Sequence, residues 1–63
     1  MIYVIYETYT KNWKRSYHNA EFASEVAKKI VRYYDNVGIR LSATVYDQTG
    51  KEIAEFNTER KAA

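Results

Sequence analysis

Between Ala20 and Tyr34 apolar residues recur at helical spacing. Phe22, Val26, Ile30 and Tyr33 or Tyr34 share one stripe, with Ala23 and Ala27 beside it and Glu21, Glu25, Lys28, Lys29 and Arg32 opposite. This is the signature of an amphipathic helix. One helix covers only one face of a sheet, so the residues on either side of it must form a sheet that is half covered. The helix can be capped by Asn19 or His18; with His18 as cap, Glu21 takes the capping-box position and Tyr17 can staple onto Phe22. Acidic residues in the first turns and basic ones in the last suit the helix dipole, and Gly38 is the natural left-handed stop.

The flanking segments follow the other periodicity. Residues 2 to 9 are dense in Ile, Val, Tyr and Thr, which fit a pleated surface, and read as a strand. Thr10-Lys11-Asn12 has turn chemistry, which makes residues 13 to 18 a second strand. A three-residue loop pairs Tyr9 with Trp13, Glu7 with Arg15 and Ile5 with Tyr17. A two-residue loop at Lys11-Asn12 pairs Thr8 with Arg15 and Glu7 with Ser16 instead. The first register gains an aromatic pair and an ion pair and is preferred. Residues 39 to 46 alternate strictly, with Ile39, Leu41, Ala43 and Val45 on one face. Asp47-Gln48-Thr49-Gly50 reads as a type I turn, and residues 51 to 57 return antiparallel, with Val45 facing Ile53, Thr44 facing Ala54 and Tyr46 facing Glu52.

The expected fold is therefore α+β, in the order ββαββ. A right-handed crossover places the first and last strands side by side and parallel, giving a four-stranded mixed sheet of order 2-1-4-3 with the helix on one face; the simpler alternative is βαββ, with residues 11 to 18 irregular. Over residues 1 to 58 this element order resembles the β-grasp plan of the small immunoglobulin-binding domains of the protein G type, a likeness of order and length that brings no functional residues with it. Residues 1 to 58 form a single domain, and 59 to 63 a short charged tail.

Composition then suggests where such a domain works. Ile, Leu, Val and Phe together number only thirteen of 63 residues, near the level at which charged chains fail to collapse. Seven tyrosines, Trp13 and two phenylalanines replace the missing aliphatic area with rings that suit half-buried sheets and interfaces. If Ile2, Val4 and Tyr6 face the helix, the uncovered face presents Tyr3, Ile5, Tyr9, Trp13 and Tyr17, with Glu7 and Arg15 among them, and the second hairpin adds Tyr46 and Phe56. An apolar patch of that kind asks for a partner. The expected function is binding through Tyr3, Ile5, Tyr9, Trp13, Arg15 and Tyr17, by homodimer formation or as a modulator or inhibitor of a protein target. Compact chains free of cysteine and proline are common among accessory proteins of phages and mobile elements.

The alternative is a single-stranded nucleic acid held by Lys11, Trp13, Lys14, Arg15 and Tyr17, a run of cations and rings able to neutralise phosphates and stack bases. A net charge of only +2 limits the counterion-release term. Catalysis is not expected: His18 is the sole imidazole, and no phosphate-binding glycine loop, nucleophile with a base or paired-carboxylate motif is present. One histidine without cysteine argues against a structural zinc site, and no cofactor or small-molecule substrate is indicated. The start Met1-Ile2-Tyr3-Val4-Ile5-Tyr6-Glu7 lacks a basic leader and is too short to span a bilayer, so a cytoplasmic location without membrane contact is the expectation.

Overall fold

The computed structural model describes residues 1–59. Strand β1 (Ile2–Glu7) is followed by β2 (Asn12–Tyr17), helix α1 (Ala20–Asn36), β3 (Ser42–Tyr46) and β4 (Glu52–Asn57). The chain thus forms ββαββ rather than βαββ, an α+β arrangement. The tail expected at 59–63 lies, apart from Glu59, outside the described residues.

The four strands make one sheet of order β2-β1-β3-β4, and every neighbouring pair is antiparallel. This corrects the expected order 2-1-4-3 and its mixed sheet, and with them the likeness to the β-grasp plan, which needs a parallel central pair. After the crossover, β3 runs against β1 while β4 runs with it. Seating β3 beside β1 keeps antiparallel pairing throughout, whereas seating β4 there requires a parallel ladder, slightly weaker per residue. Burial favours the same choice. Ala43, Thr44 and Val45 of β3 are buried, while β4 exposes Glu52, Ile53, Glu55 and Asn57. The strand that most needs cover takes the centre, and the one carrying carboxylates takes an edge, where charge discourages further pairing.

Both hairpins depart from the expected register. In the first, Val4 pairs with Arg15, Ile5 with Lys14 and Tyr6 with Trp13. The loop therefore spans residues 8 to 11 and is closed by the Thr8 amide donating to the Lys11 carbonyl at 2.8 Å, with the Thr8 hydroxyl accepting from the Lys11 amide at 3.3 Å. Asn12 opens β2 instead of making the turn. The preferred register is displaced by an odd number of residues, which turns β2 over; the two-residue alternative has the correct faces and the wrong pairs. In the second hairpin Tyr46 pairs with Glu52 as expected, but a bulge follows, so that Val45 meets Ala54 and Ala43 meets Phe56. Ile53 is the extra residue. The turn is held by the Asp47 carboxylate, which accepts from the amides of Thr49 and Lys51 and from the Thr49 hydroxyl at 2.6 to 3.0 Å. Those bonds, led by the Thr49 hydroxyl, lower the Asp47 pKa. Gly50 ends the turn at φ 88°.

Helix α1 starts at Asn19, whose side-chain oxygen accepts from the Phe22 amide at 2.7 Å. It ends in a Schellman arrangement, with Ile39 N–H on the Tyr34 carbonyl and Gly38 N–H on the Asp35 carbonyl; Gly38 sits at φ 79°. No basic residue stands in its last turn, contrary to the expected dipole match: Lys28, Lys29 and Arg32 lie further back. The stripe that meets the sheet is Ala23, Ala27 and Val31, flanked by Ile30 and Tyr34, while Phe22 and Tyr33 are largely exposed. Two alanines on this stripe let the helix lie close to the strands. Val4, Tyr6, Leu41, Ala43 and Val45 complete the core from the sheet side.

Candidate binding surfaces

Alternation along the strands sorts the aromatic side chains onto two surfaces. Because Val4 and Tyr6 are buried under α1, their register partners Arg15 and Trp13 lie on the helix side of the sheet. Tyr17, opposite Ile2, lies there too. Trp13 stacks on Tyr6 with ring centroids 5.2 Å apart, approaches Tyr34 at 6.3 Å, and has the Lys11 ammonium 5.3 Å from its own centroid. Tyr33 extends the series from Tyr34 at 5.7 Å. At the other end, the hydroxyls of Tyr6 and Tyr17 are 3.0 Å apart, and Tyr17 meets Phe22 edge-on at 5.8 Å. Six rings in contact thus run along the flank where β2 passes under α1.

A groove follows this flank, lined by Lys11, Trp13, Lys14, Arg15, Ser16, Tyr17, Ile30 and Tyr34. Its described lining residues include three cations and no carboxylate, the Lys14 ammonium being turned to the opposite face of the sheet. All five residues expected to serve a nucleic acid, Lys11, Trp13, Lys14, Arg15 and Tyr17, are gathered here. Ile30 and Tyr34 were assigned from sequence only to the packing stripe of the helix. Their position at the margin of that stripe, next to a tryptophan on the neighbouring strand, is what brings them to the groove. Tyr6 is the buried floor. Burial, then the hydrogen bond with Tyr17, raises its phenol pKa far above the ordinary value, so it stays neutral.

The second surface is the face of the sheet turned away from α1. It carries Tyr3 and Ile5 from β1, Lys14 from β2, Thr44 and Tyr46 from β3 and Glu55 from β4. The Lys14 ammonium lies 5.0 Å from the centroid of Tyr3, which places both on this side. Thr44 is only 9% exposed although no helix covers it. Of the six residues expected to form one aromatic face, only Tyr3 and Ile5 are here. Trp13, Arg15 and Tyr17 are on the helix side because β2 is turned over, and Tyr9 stands in the hairpin loop, 90% exposed. Phe56 is also corrected: the bulge carries it to the helix side, where the Lys28 ammonium is 5.6 Å from its ring. Tyr46 is on the open face as expected.

Among the described residues, no group of three or more His, Asp or Glu side chains is placed to hold a metal ion, and no helix is long and apolar enough to cross a membrane. His18 is exposed just before the cap of α1. Comparison with protein families, curated proteins and solved structures returns no match to this chain.

Proposed function

We propose that the protein is a non-enzymatic binding domain and that the groove along β2 is its ligand side, suited to a single-stranded nucleic acid. One observation carries the reading: the cations Lys11 and Arg15 and an aromatic series line the same groove, with no carboxylate among its described lining residues. Phosphates would meet Lys11 and Arg15, and unstacked bases would pack on Trp13 and Tyr34 after the exposed Lys11 side chain swings off the indole. Base stacking of this kind is tolerant of sequence, because every base has a π-face.

The test follows Trp13 fluorescence while an oligothymidylate of about twelve nucleotides, near the upper site sizes of small single-strand binders, is added at low salt. The expected result is quenching, with an affinity that falls with salt at a log–log slope of about −1.4 for two phosphate contacts. Arg15→Ala should reduce that slope by about 0.7. Unchanged fluorescence at low salt would overturn the reading.

A second reading, contact with a protein through the uncovered sheet face, is favoured by the meeting of Tyr3, Ile5 and Tyr46 on that face. A modulator or inhibitor would use it through the same two tyrosines, which are the residue type that most often anchors interfaces.

A further inference from the structure

The open face is patterned in rows. Lys14 pairs with Ile5, Ile5 with Thr44, and Thr44 with Glu55, so one line across the sheet reads cation, apolar, polar, anion. The adjacent line reads Ser16, Tyr3, Tyr46, Glu52. Rotation by 180° about an axis parallel to the strands, lying between β1 and β3 and just above the sheet, exchanges the two halves of each line. Lys14 of one copy then stands over Glu55 of the other, Ile5 over Thr44, and Tyr3 over Tyr46. A two-fold axis running across the strands along this same line would instead set Lys14 over Lys14 and Glu55 over Glu55, and one midway to the Tyr3 line would set Glu55 over Glu52. The charge pattern selects the first.

We infer that the protein forms a two-fold dimer with a second copy of itself, packed face to face through the uncovered sheet, with Lys14 and Glu55 pairing twice across the interface. Stacked sheets keep their strand directions within about 30° of each other, an offset that the long Lys14 side chain absorbs at the margins. The line from Lys14 to Glu55 is self-complementary in charge under this rotation, as an isologous interface requires. Size sets the strength. Four strands of about six residues span roughly 19 by 20 Å, a footprint of about 400 Å², against about 800 Å² of accessible surface per partner in standard stable complexes. The dimer is therefore weak, with a dissociation constant above the micromolar level. It leaves both β2 grooves at the outside and shares with them only Lys14, so Glu55→Lys tests it without touching the groove.

Sedimentation equilibrium from about 10 μM to 1 mM, a range that brackets such a constant, tests the inference. The expected result is a concentration-dependent rise from 7.4 kDa toward twice that mass. Glu55→Lys, on the edge far from the groove, should weaken the dimer about tenfold by setting two like-charged pairs face to face. Lys14→Glu should do the same, and the double variant should restore wild-type association, with circular dichroism showing every variant folded. A chain that stays at 7.4 kDa throughout, an association indifferent to the single reversals, or a double variant no better than either single one would each overturn it.

Discussion

Tyr6 does three jobs with one side chain. Its ring is fully buried beneath α1, its face stacks on Trp13, and its hydroxyl reaches the Tyr17 hydroxyl at 3.0 Å. Burial leaves the tyrosinate with no water to solvate it, which is the main reason its pKa rises, and the bond to Tyr17 adds to the effect. In the unfolded chain the phenol ionises near pH 10. Below that pH neither state loses the proton and the residue imposes no pH dependence. Above it the unfolded chain loses a proton that the folded chain retains, so stability falls as pH rises through and beyond 10. Tyr6→Phe should therefore make the alkaline limb of stability shallower by one proton, a factor of about ten in the unfolding constant per pH unit. At neutral pH it should cost about 1 kcal/mol for the lost hydrogen bond. Urea midpoints at pH 7, 10 and 11 measure both effects, and parallel alkaline limbs for wild type and variant would contradict the assignment.

At the scale of elements, α1 shows what a helix needs from its ends. The Asn19 side chain satisfies the Phe22 amide, one of the donors that an uncapped first turn leaves open. Asn19→Ala should destabilise the fold by about 1 kcal/mol, and Asn19→Asp should restore it; a urea midpoint unchanged by the alanine would rule out the cap. The sequence left this cap between Asn19 and His18, but the helix itself, its Gly38 stop and the Asp47–Gly50 turn were readable, because each depends on a few adjacent residues. The faces of the strands were not. Thr8-Tyr9-Thr10-Lys11 closes the first hairpin through a threonine hydroxyl and backbone bonds, a weaker signal than the asparagine that follows it. With a period of two, an odd displacement there sends Trp13, Arg15 and Tyr17 to the opposite side. The extra residue at Ile53 does the same to Phe56. Two local features, each of one or three residues, thus divided a patch that composition alone had placed on one surface.

The whole molecule rests on a small interior. Val4, Tyr6, Leu41 and Val45 are its large fully buried side chains, joined by alanines at 23, 27 and 43. The sheet order follows from sharing this interior among four strands: β1 and β3, which supply all four of those residues or adjoin them, occupy the centre, and the more polar β2 and β4 occupy the edges. Leu41 lies just before β3, where its amide donates to the Thr58 hydroxyl at 3.2 Å and its carbonyl accepts from the Thr58 amide at 3.0 Å, so this one residue ties the end of the crossover to the last strand. Domains of this size rarely exceed about 3 to 5 kcal/mol of stability from a single core, while removing a buried leucine side chain costs about 2 to 5 kcal/mol. Leu41→Ala should consequently consume most of the available stability. Its urea titration at micromolar concentration should show a folded baseline that is shortened or lost, together with early exposure of Trp13 to water. A variant retaining the wild-type midpoint would mean that stability comes from elsewhere than the shared interior. On the inferred dimer, raising the concentration of Leu41→Ala toward a millimolar should recover part of the folded population, because an association that needs the folded sheet shifts the equilibrium by mass action.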